Sequence, residues 1–369
     1  TGAIKTITRS MVRLVGAKRM PLALSLSGFV LGIAIFSDVA YVILNPLVHS
    51  AARVMSVPIA ATATGLVGAL QLTHAIVPPT PGPLAAAAIL GADIGKTIIY
   101  GALACLVGTI AGWIWGQYIA GPRIPTLPSM DHADNSYFIQ SKEEGASHPP
   151  GLLASYAPIL VPVLLISAQS LSRLIFEEGH IIRDGLAYIG WPVIALSIGV
   201  LLAYRNISTP QERIAARGSW IEEGLKTSAM ILVVTGLGGS LSEILKNTPA
   251  VEMMAEMFTH YQLPVILLPF LIGVIGNMIT GSTTVGVITA ASIVSPMLEN
   301  IALSPEAAML SGAAGSIIIK YVNSSYFWVC TSLTGLKVNE AIFAYGGATL
   351  LNGLGAFAII WILWAAGIL

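Results

Sequence analysis

Asp38, His74 and Lys320 are ionisable residues set in long apolar runs. A charged side chain at the centre of a bilayer costs at least ~2.5 kcal/mol on the insertion scale, so function is the first reading of each. Asp38 has the chemistry of a proton carrier, with His74 as a second proton site. Lys320 could hold a carboxylate or pair with an acid such as Asp38. Structural readings stand beside these. Asp38 could be interfacial at the end of a shorter helix, His74 could be hydrogen-bonded in the core, and Lys320 could snorkel to the surface.

Small polar residues cluster near the same places. Gly281-Ser282-Thr283-Thr284 fits the tip of a hairpin or a helix N-terminus, where N–H groups favour an anion. Asn323-Ser324-Ser325 lies close to Lys320 and offers hydroxyl and amide ligands, or alternatively helix packing. Asn277 stands one turn before the Gly281 tip, within reach of the same ligand. Ser37, Thr73 and Thr80 put hydroxyls beside Asp38, His74 and a proline-rich break. That break is Pro78-Pro79-Thr80-Pro81-Gly82-Pro83, which is incompatible with a continuous helix. Irregular backbone inside a membrane is tolerated only where protein or a cavity surrounds it, so a broken or re-entrant segment is expected here.

These residues need apolar elements to position them. The chain is 55% hydrophobic and 10% charged, against roughly 25% charged in soluble domains, which points to a membrane protein. Apolar runs at about 21–45, 56–77, 96–120, 151–172, 186–204, 226–245, 262–279, 304–319 and 347–369 are near the length that spans a bilayer. A membrane β-barrel would show short alternating strands instead. The expected fold class is all-α and polytopic. The formal net charge of zero implies no nucleic-acid partner. Cys105 and Cys330 lie in apolar runs and read as buried free thiols. His132 and His148 have no metal-ligand spacing around them, so neither a metal nor a cofactor is expected. HExxH, GxSxG and paired-Asp motifs are missing, which argues against an enzyme.

The apolar ends of the chain share one plan at an offset of about 245–250 residues. Gly28 to Pro46 matches Gly273 to Pro296. The break from His74 to Pro83 matches Lys320 to Ser325. Ala92 to Lys96, leading to Tyr100-Gly101, matches Lys337 to Glu340, leading to Tyr345-Gly346. Paired, interrupted hydrophobic segments are the best sequence pointer to a secondary transporter and its binding site. The repeat divides the chain into a first unit at 1–122, a hydrophilic linker at 123–150 and a second unit at 151–369. Segments near 186–204 and 226–245 precede the match to Thr1 only in the second copy, which implies about two membrane segments ahead of Thr1. Residues 1–20 carry Lys5, Arg9, Arg13, Lys18 and Arg19, and residues 205–217 carry Arg205, Arg213 and Arg217, so both read as cytoplasmic. The segment 246–261, with Lys246, Glu252 and Glu256, is not basic, as the opposite side of the membrane and an inverted repeat would give.

The same residues resemble the gluconate permease family. The resemblance rests on Thr73-His74, Pro78-Pro79, Pro81-Gly82-Pro83 and Gly91 to Thr97 with Tyr100-Gly101. It continues through Gly281-Ser282, Thr284-Val285, Val322-Asn323 and Phe327-Trp328, over nearly the whole chain. It implies an inner-membrane symporter for gluconate or a related small organic acid, usually driven by protons. It also implies inverted repeats with paired re-entrant hairpins, separate scaffold and transport domains, elevator-like movement, and a homodimer in the lipid bilayer. The chain departs from the family pattern at Ser37, Asp38, Thr80, Asn277, Ser324 and Ser325. A cation missing at Asn277 and one gained at Lys320 imply a relocated carboxylate contact. A hydroxy acid, a sugar acid or an amino acid such as D-serine all fit, with sodium as the alternative coupling ion.

Overall fold

In hydrocarbon every backbone N–H and C=O needs a partner, and a helix satisfies them within one segment. A computed structural model of the chain describes residues 3–16, 19–126, 150–207, 209–222, 263–298 and 300–369, with isolated positions between 225 and 244. Among these residues every regular element is helical. The interior of the expected linker, most of the run at 226–245 and the segment 246–261 lie outside the described residues.

The N-terminal part runs α1 (Ala3–Val15), α2 (Met20–Leu31), α3 (Ser37–Val54), α4 (Ile59–Ile76), α5 (Pro81–Leu90) and α6 (Ile94–Ile114). The last of these continues through a π-helical turn at Trp115–Ala120 to Arg123. Then come α7 (Leu152–Ile175), α8 (Ile181–Ile189), α9 (Pro192–Arg205) and α10 (Pro210–Arg217). The C-terminal part runs α11 (Leu267–Thr280), α12 (Thr283–Val294), α13 (Pro305–Ser316), α14 (Ser325–Thr334) and α15 (Val338–Ala341). A second π-helical turn at Ile342–Gly346 leads into α16 (Gly347–Ala365).

Among the described residues, four helical stretches are long and apolar enough to cross a membrane: Ile59–Leu90, Ile94–Arg123, Leu152–Ser172 and Val338–Ala365. The bent pair α8–α9 makes a fifth if taken as one span. The expected run at 21–45 is therefore not one span. It is α2 followed by α3, and the 12 residues of α2 rise only about 18 Å against a ~30 Å hydrocarbon core. The division falls at Gly32, where a Cβ would sit 2.8 Å from the Leu70 carbonyl oxygen, so the end of α2 presses on α4. The run at 262–279 likewise contains the 14-residue α11, which meets α12 at a two-residue corner.

The core forms around α4 and α13. Every residue of α4 is buried, as is every residue of α13 from Ala307 onward. Both helices are rich in Ala, Gly, Ser and Thr, and small side chains allow the close helix approach that association in lipid requires. Around α4 pack α2, α3 and α6, and around α13 pack α11, α12 and α16. The long helices α6 and α16 join the two sets, and α7 flanks α6. Cys105 and Cys330 are buried and unpaired, as expected.

Candidate functional site

Three helix starts meet at one place. α3 begins at Ser37, α12 at Thr283 behind its cap Ser282, and α14 at Ser325 behind Ser324. The first N–H groups of a helix have no acceptor within it, and the aligned peptide dipoles make that end positive. Among these starts lies a cavity of about 300 Å³. Ser37 and Asp38 line it from α3, and His74 from α4. Gly281, Ser282 and Thr283 line it from the corner between α11 and α12. Lys320, Asn323, Ser324 and Ser325 line it from the break between α13 and α14. Most of the site residues expected from sequence thus surround one space, although they come from four separate segments.

Lys320 brings a basic charge to its wall. The residue is 2% exposed. Its Nζ donates to the Asn277 side-chain oxygen and to the Gly281 carbonyl, both at 2.7 Å. An ammonium has three donors, so one N–H remains for a ligand. Among the described residues no carboxylate lies within ion-pair distance of Lys320. The backbone that delivers it is strained. Ile319 has φ +54°, which is rare for a β-branched residue, and the Lys320 N–H is fixed at 2.9 Å from Thr349 Oγ1.

Gly281 is where the corner needs a glycine. It has φ +71°, and a Cβ would lie 2.2 Å from the Asn323 carbonyl oxygen. The break residues close the end of α11. Asn323 Nδ2 donates to the Met278 carbonyl at 2.8 Å, and Tyr321 OH donates to the same oxygen at 2.9 Å. The amide donors of Asn323 are therefore committed to a helix end and not to a ligand. Ser282 Oγ accepts from the Val285 N–H at 3.3 Å, which caps α12.

Several expected residues stand behind the wall of the cavity. Asn277 is 1% exposed; its Nδ2 donates to the Ile318 carbonyl at 2.9 Å while its oxygen receives Lys320. Asn277 and Lys320, between which the resemblance implied a relocated carboxylate contact, are therefore in direct contact. Thr73 is fully buried within α4 and does not line the cavity. Thr284 packs behind the corner, where a Cβ on Gly82 would approach its Cα to 3.3 Å. Thr80 Oγ1 donates to the carbonyls of His74 at 2.8 Å and Val77 at 2.9 Å, so it closes the break instead of facing this cavity. The break itself is short. Pro78 and Pro79 lie in it, whereas Pro81, Gly82 and Pro83 form the first turn of α5, where a missing N–H is tolerated.

Asp38 is exposed at the first turn of α3, with one oxygen accepting its neighbour's Val39 N–H at 3.0 Å. The enclosed, apolar setting expected for it is not what the structure has. His74 is buried against Phe36, with ring centroids 5.2 Å apart. This pair also borders a second, apolar cavity of about 780 Å³ between α1, α7 and α9. Sequence reasoning missed Gln71. Its Nε2 donates to Thr283 Oγ1 at 2.9 Å, while its buried Oε1 has no partner among the described residues and the residue lines the polar cavity. An amide in the middle of an apolar helix was the available signal.

The comparisons with known proteins agree with this architecture. The GntP family permease model matches residues 1–366. The chain belongs to the GntP permease family. It is 30% identical to a gluconate permease of Pseudomonas aeruginosa, over 98% of this chain and 80% of that one. The D-serine transporter DsdX of Escherichia coli is also 30% identical, over 90% of this chain and 74% of the relative. The YdaH transporter of Alcanivorax borkumensis, whose crystal structure reveals an unusual topology, shares the fold with a TM-score of 0.65 at 16% identity. That match covers 99% of this chain and 82% of the other. As a GntP permease the chain is a multi-pass inner-membrane protein and not an enzyme.

Proposed function

We propose that this permease imports a small organic acid anion together with a proton. The observation that carries the reading is the Lys320 ammonium, buried with one donor left over, where three helix N-termini converge. Such a place favours a carboxylate by charge and by directed N–H groups. Gln71 Oε1 is a buried acceptor on the same wall and fits a hydroxyl or amine of the ligand. A hydroxy acid, a sugar acid or D-serine carries both features, in line with the gluconate and D-serine relatives.

The proton reading rests on Asp38. Its carboxylate lines the same cavity, where its charge opposes a second anion. Protonation removes that opposition, so proton and anion promote each other's binding. Alternating exposure by an elevator-like movement of two inverted repeats is supported by the order of elements. α2 to α6 and α11 to α16 follow one scheme of two helices, a buried helix, a break and a ten-residue helix. Those ten-residue helices, α5 and α14, each end at a left-handed glycine, Gly91 with φ +71° and Gly335 with φ +70°. The packing is also reciprocal, with α3 on α14 and α5 on α12.

The test is uptake into proteoliposomes under an inward proton gradient, with gluconate, D-serine and 3-hydroxybutyrate as radiolabelled candidates. Uphill uptake of one acid, abolished by a protonophore, is the expected result. No uptake of any acid under either a proton or a sodium gradient would overturn the reading. Asp38→Asn is expected to lose uphill accumulation while keeping counterflow exchange. Unchanged accumulation in that variant would remove Asp38 from the coupling step.

A further inference from the structure

Among the described residues every hydrogen-bond partner of the Lys320 ammonium is a neutral oxygen. One is the Gly281 carbonyl, at the C-terminal end of α11, and the other is the Asn277 amide oxygen. Carbonyls at the end of a half-helix, joined by a side-chain amide oxygen, form the kind of ligand set that holds a hard metal cation in transporters with broken helices. The dipole of α11 adds negative potential at the same point. Asn277 is itself held in place by the Ile318 carbonyl, so its oxygen is aimed at the site and not free to swing. The amine reaches this position from the strained backbone at Ile319. A lysine that merely needed a solvated position would not require that strain, nor would it be 2% exposed.

We infer that the Lys320 ammonium is a tethered cation occupying a site built for a monovalent metal ion between Gly281 and Asn277. The built-in charge replaces a coupling sodium, so this permease needs none. Removing the side chain leaves two convergent oxygens and a void, open to the polar cavity, in which sodium binds. The inference deepens the reading of the cavity as an anion site, but its test requires no transported acid.

The experiment is thermal unfolding of the purified, intact protein in sodium chloride against choline chloride at equal ionic strength, with no acid present. The wild type is expected to melt at the same temperature in both salts. Lys320→Ala is expected to gain a saturable rise of about 3–5 °C in sodium, as a ligand bound only to the folded state gives. If the alanine variant does not fold, Lys320→Ser, a second small side chain that vacates the site, is read in the same way. A sodium-dependent rise in the wild type would overturn the inference, because the site would then not be filled by the amine. Folded variants indifferent to sodium would overturn it too, because the oxygens would not form a cation site. Absence of transport for every acid would count against the proposed function and leave these melting results standing.

Discussion

At the scale of single residues, the cavity separates groups that hold structure from groups left for a ligand. Asn323 and Ser282 use their side chains to cap helices, whereas Lys320 and Gln71 each keep an unused donor or acceptor. A charge-assisted hydrogen bond contributes about 1.5–3 kcal/mol, which is roughly 10–100-fold in affinity. Lys320→Met is therefore expected to raise the half-saturating acid concentration by about that factor, read from the concentration dependence of uptake. Lys320→Arg should not rescue it, because a planar fork does not reproduce a compact ammonium between two oxygens. Gln71→Leu should act on selectivity instead. It should narrow the preference for a hydroxy acid over its deoxy analogue by about 10-fold, measured by competition, since the acceptor for the hydroxyl is gone. Equal loss for both acids would place Gln71 in packing. Charge made Lys320, Asp38 and His74 visible in the sequence. Gln71 gave a weaker signal, because a neutral amide in an apolar run carries little compositional weight until its neighbours are known.

At the scale of elements, what the sequence conveyed best was the position of the breaks. The prolines after His74 and the polar triplet after Lys320 both mark real interruptions that follow the buried helices α4 and α13. It conveyed less about helix length, because α2 and α3 read as one continuous apolar run although the chain turns between them after Gly32, whereas the tip expected at Gly281 is a real corner between α11 and α12. Hydropathy averages over a corner like the one after Gly32, where the chain changes direction without a change in polarity. The break after α4 depends on one hydroxyl. Thr80 serves the two carbonyls of His74 and Val77, and both would be left unmet in a buried place. Thr80→Val is expected to cost about 1–3 kcal/mol, seen as a lower melting temperature, whereas Thr80→Ser should retain most of the stability. Gly281→Ala should destabilise by a similar ~1–3 kcal/mol, since it combines a left-handed φ with a clash at the Asn323 carbonyl. A stable Gly281→Ala variant would show that the corner opens readily and that Asn323 is not fixed there.

At the scale of the whole molecule, the open question is which parts move. The polar cavity is walled by α3, α4, the α11–α12 corner and the α13–α14 break, all packed around the two buried helices. The helices α7, α8 and α9 pack among themselves and meet this bundle along α6 and α1. An elevator-like cycle requires the bundle that holds the ligand to slide against such a flanking unit. The seam where it would slide is tight: a Cβ on Gly95 would fall 2.2 Å from the Cβ of Ser170, and Ser170 Oγ donates to the Asp93 carboxylate across the same junction. Asp93 also caps α6, and its N–H donates to the Glu306 carboxylate of α13 at 3.1 Å, so the junction ties flank to core in this conformation. A cysteine pair at Asp93 and Ser170 would join the two units at that point, and the native Cys105 and Cys330 are too buried to interfere. If the units slide, oxidation of this double variant should reduce uptake by more than about 10-fold, and reductant should restore it. The reduced variant supplies the control for the lost helix cap, which by itself costs only about 1 kcal/mol. Full transport in the oxidised protein would mean that α6 and α7 travel together, and the moving boundary would then have to lie inside the bundle, between the two halves that share the cavity.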